Sequence, residues 1–362
     1  MTVQSDTRPG RRAEPGDQHP HPDRRAEFAA LLRGGSARPF LTSAWQHFVG
    51  EEYDPVRFAT ATVDFTLTWD WDWVKINPRA IYYSEAWGSV YDPDDYVGVV
   101  PRLVSPAIRT VADLARIRPL DPRANPVLAE HLASARSIRD QLPDRALVQT
   151  VFSPLSVLLQ LAGLPLYPDD VVPGSTAPFT HDDLFRSDPE GVDAALDAIT
   201  HTLSRYVAAL VAPVEDGGAG LDGIFYAVTG TASNDHFDRQ SFAEYSRPYD
   251  QQVLAAAGDG LVVFHTCRAH SHPEWFGDYP IDALQWDQFQ PGNPLLGTDF
   301  GVTVVGGVSN ELFAVGADRT DVAAQLEATL AAAPTRPFLL APSCTIPTPA
   351  DPESLRRLRD AR

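Results

Sequence analysis

DGIFYAV (222–228), GLVVFHT (260–266) and VTVVGGV (302–308) are short, almost continuously apolar runs, separated by stretches patterned as helix or loop. Such runs suit parallel strands covered on both faces, because a strand buried on two sides has no reason to alternate apolar with polar residues. Further runs of this kind lie at 146–152 (ALVQTVF), 281–286 and 337–342, with PFLTSAW at 39–45. Amphipathic segments predict helices near 27–33 and at 127–141, 189–212, 239–257, 318–332 and 351–361. Thr110, with Asp113 three positions on, predicts a short capped helix reaching Ile117, and Pro154 suits the first turn of a helix ending near 163. Alternation of helices with about eight strands favours a (β/α)8 TIM barrel over an open doubly wound sheet. The expected organisation is therefore α/β, a single barrel domain over residues 26–362. A disordered tail is expected at 1–25, where Pro, Arg, Asp and His dominate and nothing apolar can pack.

A chain of 362 residues buries a sizeable core, and 44% hydrophobic with 21% charged residues fits a globular protein. No run approaches the roughly 18 apolar residues of a membrane helix, so no membrane partner is expected. The formal charge of −19 repels nucleic-acid backbones, and no basic patch offsets it. Two cysteines are too few for a disulfide framework, and a cytoplasmic location is expected. There is no G-x-G-x-x-G, no G-x-x-x-x-G-K-[ST] and no G-x-S-x-G, which lowers nucleotide-dependent and serine-hydrolase readings. Lys75 is the sole lysine, and Cys267 and Cys344 are the only cysteines, so each stands out in a chain that otherwise avoids its type.

FHTC at 264–267 puts His265 and Cys267 two residues apart at the carboxyl end of an expected strand, so both side chains share a face. Cys344, in LLAPSCTIP, again falls just past an apolar strand. In a barrel all such strand ends meet at one rim, so three soft or borderline ligands converge there. Two thiolates and an imidazole suit Zn²⁺, and three protein ligands leave a position open, as in catalytic sites. The competing reading makes the cysteines small buried hydrophobes and His265 a satisfied core group.

At these residues the chain resembles the uroporphyrinogen decarboxylase superfamily. The resemblance rests on His-x-Cys…Cys, LLAPSCTIPTPADPESL at 339–355, GGVSNELF at 306–313, and DGIFYA…FAEYSRPY within 222–249. More narrowly it is similar to the zinc-dependent methyltransferase branch, which includes coenzyme M methyltransferases, and it covers roughly residues 27–362. The resemblance implies a TIM barrel in which His265, Cys267 and Cys344 hold zinc. A substrate thiol, or another soft nucleophile, then accepts a methyl group from methylcobalamin, supplied free or on a partner corrinoid protein. The chain has no corrinoid-binding D-x-H-x-x-G of its own. It also departs from the decarboxylases proper: their arginine-rich motif is replaced here by SAWQHF at 43–48, so an octa-anionic porphyrinogen is not the expected substrate.

Secondary candidates surround this motif. Asp72, in WDWDWVKINPR (69–79), is placed by the resemblance at or near the end of an early strand as a catalytic carboxylate; the alternative is an ion pair with Lys75 or Arg79. His47 is read as a general acid/base, Tyr226 as a hydroxyl donor into the cavity, and Lys75, Trp45 and Asn234 as substrate contacts. Asp235 and His236 share the loop of Asn234, His270 or His272 is a candidate fourth ligand or proton shuttle, and Asp282 or Asp287 a partner for the ligand imidazole. The leading expectation is a zinc-dependent methyl or alkyl transferase acting on a small molecule. The alternatives are a decarboxylase or lyase of a small acid on the same barrel, and a non-catalytic zinc or ligand binder.

Overall fold

The computed structural model describes residues 23–168, 170–332 and 336–362. Its strands are β1 (Phe40–Thr42), β2 (Trp73–Ile76), β3 (Val90–Val97), β4 (Val100–Ser105), β5 (Ala146–Phe152), β6 (Gly223–Thr229), β7 (Leu261–Thr266), β8 (Ala283–Gln285), β9 (Thr303–Val308) and β10 (Phe338–Pro342). Strands β3 and β4 form a separate antiparallel hairpin; the other eight form one sheet in the order β1-β10-β9-β8-β7-β6-β5-β2, parallel throughout. Helices flank the strands, as in a (β/α)8 barrel. The seven apolar runs are thus present as strands; β2, in the Trp/Asp-rich stretch, and the hairpin, whose Gly98 turn at φ 64° follows Tyr96-Val97, are not among them.

Two apolar layers follow from the two-residue period. Inward residues such as Trp73, Val148, Phe225, Val263, Ala283, Val305 and Leu339 fill the barrel, while Val74, Leu147, Ile224, Val262, Leu284, Val304 and Leu340 pack against the helices. The helix Arg24–Leu32, capped by Asp23, closes the amino-terminal end by setting Phe28 against Trp73, ring centres 5.4 Å apart. Residues 23–25 therefore belong to the fold; the rest of the expected tail, 1–22, lies outside the described residues. The expected helix 239–257 is two helices, Arg239–Tyr245 and Arg247–Ala255, meeting at Ser246, whose hydroxyl donates to buried Asp250 at 2.8 Å.

No ladder joins β1 to β2, and Asp72 closes that seam. Its backbone N–H donates to Thr42 O at 3.0 Å, and its Oδ2 accepts from Thr42 N at 2.8 Å and Thr42 Oγ1 at 3.1 Å. Oδ1 lies 3.7, 3.5 and 3.4 Å from Arg24, Arg38 and Arg362. This is the amino-terminal end of β2, so the expectation of a catalytic Asp72 is corrected: the residue is at the opposite end of its strand from the site. The ion-pair alternative is right in kind, but its partners are three distant arginines in place of Lys75 or Arg79. Removing one side of a buried charge cluster costs about 3–5 kcal/mol. Asp72→Ala is therefore expected to lower unfolding free energy by about that amount in urea titrations. Metal content of the folded fraction should be unchanged.

Candidate metal centre

Above the inner core, at the carboxyl ends of the strands, lies a cavity of about 480 Å³. Every barrel strand leads into a lining residue: His47, Asn77, Phe152, Thr229, Cys267, Asp287, Asn310 and Cys344. Its roof is formed by residues 164–167 and 170–173 together with the hairpin, tied by Leu103 N–H donating to Pro173 O at 2.8 Å. Gly230 permits the roof to descend, since a Cβ there would collide with the Tyr167 ring. Arg268, beside Cys267, holds the same segment by pairing with Asp170 at 3.3 Å and covering the Tyr167 ring at 4.6 Å.

His265, Cys267 and Cys344 meet on the cavity floor, one donor atom from each lying within 4.8 Å of the others. Their convergence follows from alternation: His265 and Cys267 continue the inward face of β7, and Cys344 follows β10. The sulfurs are 3.6 Å apart, and Cys344 Sγ is 4.0 Å from His265 Nε2. A tetrahedral ion with Zn–S near 2.3 Å and Zn–N near 2.0–2.1 Å requires separations of about 3.7 and about 3.6 Å. The donor set and spacing therefore fit zinc. Cys344 is drawn down well below the usual thiol range by the hydrogen bond from Cys267, with His265 and Lys75 adding to it, while the Cys267 thiol is pushed up by that same bond and by burial. The Ser343 hydroxyl donates to Asn310 Oδ1 at 3.0 Å and Asn310 Nδ2 donates to Thr345 O at 3.1 Å, which fixes the turn bearing Cys344.

Lys75 is the cation of this floor. Its Nζ lies 4.1 Å from the Phe225 ring centre and 5.0 Å from that of Trp45, with no hydrogen bond or ion pair among the described residues. Burial pushes its pKa down to about 8, against the opposing pull of Cys344 and Cys267. The lining arginines are already engaged. Arg79 pairs with Glu85 at 2.6 Å and Glu130 at 2.7 Å, and Arg268 pairs with Asp170.

Of the other expected site residues, His47 lines the cavity, its Nδ1 3.5 Å from Glu52 Oε2. Asp287 also lines it, its carboxyl raised by burial. Four placements are corrected. Tyr226 faces outward, donating its hydroxyl to Asp250 Oδ1 at 2.5 Å, because its neighbours Phe225 and Ala227 take the inward positions. Trp45 packs below the cavity against Trp73 and Phe225 and reaches the site only through Lys75. Asn234 is exposed and bonds His272 Nε2 at 3.1 Å. Asp282 accepts from Val262 N at 2.8 Å at the start of β8, the wrong end for a site residue. His270, His272, Asp235 and His236 do not line the cavity; His272 is held by Glu274 at 2.7 Å. The sequence reading missed Arg268, Tyr167 and Gln285. Gln285 alone had a signal, a polar residue on the inward parity of an apolar strand.

The comparisons find the same barrel fold. The chain belongs to the uroporphyrinogen decarboxylase (URO-D) family, whose model matches residues 48–362. Among solved structures it is similar to a methyltransferase from Methanosarcina mazei, with TM-score 0.67 and 17% identity, covering 93% of this chain and 97% of that one. That likeness is one of fold. A Listeria monocytogenes chain described as a vitamin-B12 independent methionine synthase matches at TM-score 0.46 and 14% identity, covering 89% of this chain and 94% of that one; nothing is drawn from it. No curated protein matches. No helix among the described residues is long and apolar enough to cross a membrane.

Cys344→Ala, Cys267→Ala and His265→Ala are each expected to retain less than a tenth of wild-type zinc by elemental analysis, with circular dichroism unchanged. The fold does not hang on the metal, because the apolar core is independent of it. Stoichiometric zinc in Cys344→Ala would refute the site.

Proposed function

We propose that this protein is a zinc-dependent methyltransferase in which His265, Cys267 and Cys344 hold the ion and a thiol or similar soft nucleophile takes the remaining position. The observation that carries the reading is the meeting of two cysteines and one histidine, at near-tetrahedral spacing, on the floor of the barrel cavity. The Methanosarcina neighbour of the same fold, itself a methyltransferase, supports it. Zinc held there supplies a Lewis acid at which a thiol loses its proton near neutral pH yet stays nucleophilic.

The chain's own residues do the rest. Zinc held by two thiolates and a neutral imidazole would itself be a neutral centre, so an acceptor thiolate beside it would add a negative charge. Lys75, cationic and otherwise unpartnered, offsets that charge and holds the acceptor sulfur. His47, oriented by Glu52, is the rim group suited to take the thiol proton. The aromatic walls of Tyr83, Phe152, Tyr167 and Phe225 exclude water. The acceptor sulfur forms its bond to the methyl carbon, and the electron pair of the broken bond leaves with the donor. A methylcobalamin donor, free or on a corrinoid protein, would supply the methyl group at the cavity mouth, since a corrinoid is far larger than this cavity.

Cavity shape narrows the acceptor. A space of about 480 Å³, lined mainly by apolar and aromatic side chains, takes a mid-sized ligand, and a short ionic thiol fills only part of it. The paired state of Arg79 and Arg268 leaves no clamp for the carboxylates of uroporphyrinogen.

The test is methyl transfer from methylcobalamin to a panel of thiols, followed by the cobalt–carbon absorbance. Arylthiols are expected to outperform 2-mercaptoethanesulfonate in kcat/KM. Lys75→Gln should lower kcat/KM by about 10–100-fold, the worth of one charge-assisted contact, while zinc stays bound. Release of carbon dioxide from a small acid, with no methyl transfer to any acceptor, would replace this reading by the lyase alternative.

A further inference from the structure

His265 and Gln285 are direct register partners on β7 and β8. Both point into the barrel, since Val263 and Ala283, two residues before each, belong to the inner core. Both are buried, Gln285 completely. Each carries one buried polar atom without a partner among the described residues: Nδ1 of His265 and Oε1 of Gln285. One is a potential donor and the other an acceptor.

The amide of Gln285 is not free to turn. Its Nε2 donates to Pro342 O at 2.9 Å, a bond only the NH2 end can make, so the carbonyl end is the one left over. The two nitrogens of the imidazole are told apart by their neighbours. His265 Nε2 is the nitrogen beside Cys344, at 4.0 Å, so Nδ1 is the nitrogen that keeps its hydrogen when Nε2 binds a metal.

We propose that Gln285 is the positioning residue of the metal centre: the two atoms are not bonded to each other in this structure, and a turn of the His265 ring as Nε2 takes a metal would bring Nδ1–H onto Gln285 Oε1, while Gln285 Nε2 holds the strand that carries Cys344. The proposal rests on the zinc reading above. One side chain on β8 then fixes the imidazole ring on β7 and, through Pro342, the backbone two residues before the Cys344 ligand on β10. The device also explains an amide at a place where metal-bound histidines often have a carboxylate. An amide orients the ring without adding negative charge, and so keeps the floor neutral before an anionic acceptor binds. Asp287, the nearest carboxyl on the same face of that strand, is turned to other partners, its Oδ1 accepting from Phe289 N at 2.9 Å.

The experiment is zinc titration against a chelator for wild type, Gln285→Leu and Gln285→Glu, with circular dichroism to confirm folding. Gln285→Leu should bind zinc about 10–100-fold more weakly than wild type. Gln285→Glu keeps an acceptor for the imidazole but loses the donor to Pro342 O, and should recover only part of that loss. A second readout needs no variant: in zinc-loaded wild type, nitrogen-15 NMR should show His265 with Nε2 coordinated and a slowly exchanging Nδ1–H. Wild-type zinc affinity in folded Gln285→Leu, or a freely exchanging Nδ1–H, would overturn the role of Gln285 and leave the metal centre standing. If wild type itself binds no zinc, the metal reading falls and takes this proposal with it.

Discussion

Parallel strands with a two-residue period give the barrel interior a fixed supply of inward positions, and the amino-terminal ones are consumed by core. Trp73, Phe225, Val263, Ala283 and Leu339 fill the lower layers, so chemistry is confined to the inward positions at and just beyond the carboxyl ends. His265 and Cys267 occupy two successive positions of that kind on β7, Lys75 lies above Trp73 on β2, and Gln285 lies above Ala283 on β8. The same rule that makes the barrel a packed solid thus brings together residues distant in sequence, His265 and Cys344 lying 79 positions apart and Lys75 farther still. A slip of one residue in any of these strands would turn its contribution to the helices.

Charge organises the floor as strictly as geometry does. The chain is acidic, with a formal charge of −19, and has a single lysine. That lysine is buried on two aromatic rings and faces the cysteine pair, whereas the arginines around the cavity are already matched by carboxylates. An isolated buried ammonium is costly unless an opposite charge attends it. The cysteine pair is the group facing it that can become anionic, Cys344 being drawn well below the usual thiol range by the bond from Cys267.

The barrel was legible in the sequence because most of its strands are continuous apolar runs, and the meeting of His265, Cys267 and Cys344 was legible because alternation and strand-end position need no knowledge of exact register. Tyr226 and Asp72 show where that reasoning stops. Tyr226 belongs to a correctly located strand, but its facing depends on which residue of FYA points inward, and only pairing of Ala227 with His265 decides that. Asp72 lies in a Trp/Asp repeat that contains no marker of which end of the strand it occupies. There it closes the seam to β1 and gathers arginines from both ends of the chain, Arg24 and Arg362, contacts that no local pattern encodes. Gln285 was passed over for flanking acidic residues, although its parity matched that of Asp287.

X-ray absorption at the zinc edge tests the central claim most directly. Zinc-loaded protein should show two sulfur neighbours near 2.3 Å and at least one nitrogen near 2.0–2.1 Å. Addition of an accepted thiol should raise the sulfur count to three. A shell made only of nitrogen and oxygen, or a sulfur count that stays at two with a saturating acceptor, would contradict the account.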